Sequence, residues 1–286
     1  MIAMKPVDII TKFVKGFVIG ASMLVPGVSG GTMAIILNIY DQLISAVSRI
    51  RQDIKGNSLL LFNYAIGGLA GILLLSRPLL FIVEKWPMPS LYFFMGCIIA
   101  SIPPLYSRVK TNKIKVRHII YAIIGIAVGV SLKFIPEGLF DAGAAMSVKM
   151  FLLLVLAGFI IAIALILPGI SGSYMLLVFG MYHVTLEALK GFDVMFLVPL
   201  VIGLFIGTFG TAKVLDKLME KHPQFIYMLI IGFMLGSLYQ IFPGVPTGVE
   251  IPISVVCIVT GFIVIFLLVS GGKKSITKQN EKEVYK

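Results

Sequence analysis

Long apolar runs separated by short basic segments dominate this chain. Six of them predict membrane-spanning helices: Leu59–Val83, Leu91–Tyr106, Ile119–Ile135, Met195–Val214, Phe225–Phe242 and Ile251–Val269. About 20 apolar helical residues cross a hydrocarbon core roughly 30 Å thick. A soluble α-helical protein of this size has room to bury one such helix, not six. Two further segments, Phe13–Val47 and Phe151–Leu189, are apolar but interrupted at Pro26-Gly27 and Pro168-Gly169. Proline removes a backbone donor and glycine is a poor helix former, so each should break there. The first arm, Phe13–Val25, spans only about 20 Å as a helix. That length predicts a re-entrant hairpin rather than two full spans. The second copy has a longer first arm, and charge alone does not separate re-entry from spanning.

The two interrupted segments are copies of each other. At an offset of 142, Gly16–Val47 lies on Gly158–Leu189 without a gap, matching Pro26/Pro168, Gly27/Gly169, Ser29/Ser171, Gly30/Gly172 and Tyr40/Tyr182. At an offset of 136, Glu84-Lys85-Trp86-Pro87 lies on Glu220-Lys221-His222-Pro223, and Gly67, Gly71 and Gly96 lie on Gly203, Gly207 and Gly232. Matched apolar residues are cheap in such a composition; matched prolines, glycines and charges in one order are not. The chain therefore reads as one polytopic domain with internal repeats over about 13–110 and 150–242. A linking helix covers 119–135 and a closing helix covers 251–269.

Basic loops favour the cytoplasm. Placing Lys5, Lys12, Lys15, Arg49, Arg51 and Lys55 there puts Arg108–Arg117, Lys213–Lys221 and the Lys273–Lys286 tail on the same side. Both termini are then cytoplasmic, and one hairpin enters from each face. The predicted fold is an all-α integral membrane protein. It has an inverted-topology repeat of about six full transmembrane helices plus two re-entrant hairpins, the architecture of secondary transporters.

Composition agrees: 58% of residues are hydrophobic, 13% are charged and the mean hydropathy is +1.03, against about 25% charged in soluble domains. The net charge of +11 is then a topology and lipid-surface signal, not one for nucleic acid. Cys97 and Cys257 sit alone in apolar runs, and His118, His183 and His222 are scattered, so no metal or cofactor site is expected. No small-residue cleavage site follows the basic N-terminus, which reads as mature protein.

Glycine-rich breaks before helices suit an anion, phosphate above all. Ser29, Gly30, Gly31, Thr32, Ser171, Gly172 and Ser173 are the candidate headgroup contacts. The alternative is that Pro-Gly only turns the chain and glycine only permits close packing. Arg77, inside an apolar span, and its repeat partner Lys213 are candidate cations; Arg77 equally suits snorkelling to the interface. Asp41, His183 and Glu187 follow the hairpins as possible proton-coupling groups or solvated loop-edge residues. No catalytic constellation stands out, so the chain is not expected to be an enzyme.

The stretch Leu24-Val25-Pro26-Gly27-Val28-Ser29-Gly30-Gly31-Thr32, with Asn38-Ile39-Tyr40-Asp41 after it, resembles the signature of the bacterial polyprenyl-phosphate transporters, once catalogued as a domain of unknown function. Leu167-Pro168-Gly169-Ile170-Ser171-Gly172-Ser173 resembles that family's second motif, and the likeness runs from about Val14 to Val269. It implies translocation of undecaprenyl phosphate across the bacterial cytoplasmic membrane, for recycling in cell-wall synthesis. Its partners are then membrane lipid and the anionic carrier, with protons or another ion as possible couplers. Ser173 and Tyr174 stand where the first copy has Gly31 and Thr32, so the half-sites are not identical. A transporter of small soluble anions and a membrane lipid-phosphate enzyme remain as alternatives.

Overall fold

A computed structural model describes residues 6–23, 29–109, 113–135 and 147–284, and everything below concerns these. They form helices and connecting turns. In the first half these are α1 (Pro6–Ser22), α2 (Gly30–Ile36), α3 (Tyr40–Ser48), α4 (Ile54–Lys85), α5 (Pro87–Tyr106) and α6 (Val116–Ser131). The second half continues with α7 (Val148–Ile166), α8 (Gly172–Val178), α9 (Tyr182–Gly191), α10 (Val194–Lys221), α11 (Pro223–Ile241) and α12 (Glu250–Val284). All six apolar runs expected to span are helical and long enough to do so. The first arm of the second hairpin, α7, makes a seventh such helix. The first arm of the first hairpin also exceeds its expected bounds. It starts at Pro6 rather than Phe13, since proline is well placed at a helix start, and its 17 residues span about 25 Å.

Local chemistry sets the boundaries. Asp53 accepts from Gly56 N–H, Ser147 from Met150 N–H, and Asp193 from Met195 and Phe196 N–H, capping α4, α7 and α10. Helices α4 and α10 both stop before a proline, which disfavours helix at the preceding residue. Trp86 (φ −131°, ψ 66°) and His222 (φ −131°, ψ 55°) there adopt nearly the same conformation. Each proline then opens the next helix. The short helices α2 and α8 give way to left-handed residues at matching positions, Asn38 (φ 57°) and Gly180 (φ 69°).

Helices pair in the same pattern in both halves. α1 lies on α4 and α7 on α10, while α5 lies on α12 and α11 on α6. The contacts are glycine-mediated and repeat residue by residue. A Cβ on Gly67 or Gly71 would overlap the carbonyl oxygen of Phe13 or Phe17; on Gly203 it would overlap that of Val155, and on Gly207 it would crowd that of Phe159. Likewise Gly96 abuts Ile258 and Gly232 abuts Ala122. Small residues let helix backbones approach where apolar burial gives little drive, as in lipid. Helix α11 is central, with 61% of its apolar window buried, against 17% for α4, α6 and α12. The outer helices leave Leu73, Leu74, Ile123, Phe205 and Val256 exposed, as lipid-facing positions are.

Candidate functional site

The second break is where the sequence places it. Helix α7 ends at Ile166, the chain turns through Pro168 and Gly169, and α8 starts at Gly172. Gly169 has φ +84°, a conformation that favours glycine. Pro26 and Gly27 lie outside the described residues, but the helix ends at Ser22 on one side and restarts at Gly30 on the other. Ser29 precedes that restart in extended conformation, and its Oγ accepts from Thr32 N–H at 3.1 Å.

The two tips meet. Gly169 N–H donates to Thr32 Oγ1 at 2.9 Å and to Ser29 Oγ at 3.2 Å, and the two hydroxyls lie 2.8 Å apart. All three groups are buried: Ser29 is 4% and Thr32 1% exposed. The first tip therefore spends its hydroxyls on the second tip. The close approach explains Gly31, where a Cβ would stand 2.8 Å from the Ile166 carbonyl oxygen. That carbonyl ends α7 without a helical partner and accepts from Tyr40 Oη, on the opposite hairpin, at 3.2 Å.

On one side of the tips lies a cavity of about 300 Å³, lined by Lys133, Ser171, Tyr174, Gln240, Leu91 and Phe242 among others. Lys133 is the one charged residue on its lining among the described residues, and its ammonium stands 4.5 Å from the centre of the Tyr239 ring. Tyr174 Oη donates to Leu132 O at 2.7 Å and Gln240 Nε2 to Gly129 O at 2.6 Å, fixing both side chains. A cation, hydroxyls and an amide oxygen, lining the cavity together with apolar side chains, make an amphipathic site. Ser171 was legible from its motif. Lys133 and Gln240 were not, because each lies far from the motif in sequence.

On the other side the corresponding space, bounded by Ile35, Asp41, Leu105 and Arg108, shrinks to about 10 Å³. Asp41 pairs with Arg108 and accepts from Tyr227 Oη at 3.0 Å, while Arg108 also reaches Asn38 Oδ1. Next to it, Arg49 Nε pairs with the buried Asp216 at 2.8 Å and its guanidinium also pairs with Glu220; Ser45 Oγ donates to Asp216 at 2.7 Å. Hydrogen bonds to Asp216 and then Glu220 push the Arg49 pKa further above its ordinary value. These contacts tie the first hairpin's α3 to α10 and α11.

The remaining expected residues are scattered. Gly30 faces Met23, and Gly172 faces Leu165; the Ser173 side chain lies outside the described set. Arg77 and Lys213 are exposed, have no polar partner among the described residues and do not line the Lys133 cavity. His183 packs edge-on against Tyr182 and is exposed, as is Glu187. Of the three possible coupling residues, only Asp41 belongs to a contact between the halves.

Residues 19–254 match the family model described as undecaprenyl phosphate translocase-like. A protein of Staphylococcus aureus named polyprenyl-phosphate transporter is 34% identical over 284 residues, covering 93% of this chain and 96% of that protein. One of Vibrio cholerae with the same name is 28% identical over 253 residues, covering 84% and 79%. No solved structure matches significantly.

Proposed function

The chain belongs to the undecaprenyl phosphate translocase-like family, and we propose that it carries a polyprenyl phosphate, undecaprenyl phosphate above all, between the leaflets of the bacterial cytoplasmic membrane. The observation that carries the mechanism is the contact of the two hairpin tips beside one open, cation-bearing cavity and one closed counterpart. The headgroup enters the open cavity at Lys133 and Ser171. The tip residues Ser29 to Thr32 and Ser171 to Ser173 part to let it pass, and the isoprenoid tail stays in lipid. The apolar lining residues Leu91 and Phe242 favour a tailed phosphate over a small soluble anion. Arg77 and Lys213 act at the lipid–water interface.

The hairpins enter from opposite faces in this reading. Its support is the run of contacts: Phe13 and Phe17 meet Gly67 and Gly71, so α1 runs parallel to α4, and α7 runs parallel to α10 in the same way. The C-terminal end of α10 lies beside Arg49, just before α4 begins, so α4 and α10 run in opposite directions. The face carrying Arg49, Arg108, Arg117 and Lys221 is cytoplasmic by its positive charge, and both termini lie on that side. The open cavity then faces outward, ready to load a carrier left in the outer leaflet.

The membrane potential opposes the inward return of an anionic headgroup by about 2.3 kcal/mol per charge per 100 mV, so proton or cation coupling is part of the proposal. Liposomes containing the purified protein should equilibrate undecaprenyl phosphate between leaflets far faster than protein-free vesicles, with inward flux responding to an imposed proton gradient. Equal rates with and without protein overturn the reading; release of inorganic phosphate would instead make the protein a lipid phosphatase.

A further inference from the structure

A second cavity, of about 350 Å³, opens where α6 and α11 begin, apart from the tips and the Lys133 site. Arg117, Lys221, His222 and Gln224 line it, with Tyr121 and Phe225 as its apolar part, and no carboxylate is on the lining among the described residues. The nearest acid in sequence, Glu220, is taken by Arg49. Its polar groups are organised as donors. His118 is 1% exposed; the Lys115 N–H donates to its Nδ1 at 3.2 Å, and its Nε2 lies 3.1 Å from Gln224 Oε1 and 3.4 Å from Arg117 Nε. Arg117 Nη2 donates to the same oxygen at 2.8 Å. The carbonyl end of Gln224 is thus occupied, and its amide N–H groups have no partner among the described residues. Tyr121 and Phe225 pack edge-to-face at 5.0 Å.

The equivalent turn in the first half forms a cavity of opposite character. There Lys85, Trp86, Ile253 and Cys257 stand where Lys221, His222, Arg117 and Tyr121 stand in the second, and the space is about 550 Å³ and mostly apolar. Lys85 lies over the Trp86 ring, 4.7 Å from its centre. The same backbone turn therefore does not by itself require a basic lining; cytoplasmic charge accounts for the sign of Arg117 and Lys221, but not for the bond that orients Arg117 and Gln224 together beside His222.

We propose that the Arg117–Lys221–Gln224 cavity is a binding station for a phosphate monoester bearing an apolar tail. The guanidinium, ammonium and amide donors take the phosphate oxygens, and the Tyr121–Phe225 pair takes the first part of the tail. Gln224 and Phe225 lie just before Tyr227, whose hydroxyl donates to Asp41 of the closed mouth, so the station and that mouth share the same end of α11. On the translocation reading above, it holds the headgroup on the side where transport delivers it.

The test uses the full chain in nanodiscs, with geranyl phosphate, inorganic phosphate and geraniol as probes. Geranyl phosphate should slow amide exchange at residues 116–119 and 224–226. The double variant Arg117→Gln/Lys221→Gln should weaken its binding about tenfold or more and abolish that protection. The charge-preserving pair Arg117→Lys/Lys221→Arg should retain most of the binding, which separates lost charge from lost folding. Lys133→Gln should leave protection at 116–119 intact. Equal protection by geraniol, inorganic phosphate binding as tightly as geranyl phosphate, or wild-type affinity in the double variant overturns the proposal. Absence of lipid movement in liposomes by a protein that still shows this protection overturns translocation and leaves the station standing.

Discussion

The two mouths beside the hairpin tips share a repeated backbone and differ in side chains. At the Ser171 mouth about 300 Å³ stands open beside Lys133; at the Asp41 mouth about 10 Å³ remains. The closed mouth is tied by Arg108 to Asp41 and Tyr227 to Asp41, and Arg49 to Asp216 holds the other end of α3. At the corresponding positions of the other half the chain carries Gly244, His183, Leu91, Gly191 and Leu80, which cannot form those ties. Helices paired in the same pattern thus carry these closing contacts on one side only. A partly buried ion pair costs desolvation but strongly favours the arrangement in which both partners meet. Such a pair suits a latch between states better than a source of bulk stability.

Removing the latch should have the largest effect. In a cysteine-free background (Cys97→Ala, Cys257→Ala), a cysteine at Leu105 should react slowly with a membrane-impermeant maleimide. Adding Arg49→Gln and Arg108→Gln should raise that rate about tenfold or more, the range expected when a few kcal/mol of differential stabilisation is lost. An unchanged rate would mean that helix packing, not these ion pairs, closes the mouth. Next in size, Lys133→Gln should cut the initial rate of undecaprenyl phosphate movement about tenfold, and Lys133→Arg should restore much of it. If Lys133→Gln is as fast as wild type, the open mouth does not receive the phosphate. The smallest effects belong to Arg77→Ala and Lys213→Ala, which should each change the rate less than about twofold, as exposed interfacial cations do. A loss as deep as that of Lys133→Gln would move the charged site away from the open mouth.

Much of the fold was legible because hydropathy is nearly a local property. A run such as Phe225–Phe242 favours the hydrocarbon whatever its neighbours are, and α11 covers most of it. The breaks were legible for a similar reason, since Pro168 and Gly169 act on their own backbone. The first arm was misjudged in length because helix continues through Lys12 and Asp8, charges that an apolar count excludes. Lys133, Gln240 and Asp216 escaped notice because nothing beside them in sequence marks them. Ser171 and Gln240 meet only when the second hairpin lies against α11.

From the amino-acid order alone came the spanning helices, the matched glycines and the two interrupted segments, each governed by transfer free energy or by backbone freedom at single residues. Tertiary structure decided which tip groups bond to each other, which mouth is tied shut, and that two turns of like sequence became one greasy and one basic cavity. Those outcomes depend on contacts between residues over a hundred positions apart, such as Arg49 with Asp216 and Gly169 with Thr32. The energy of such a contact exists only once packing has brought both partners out of water together.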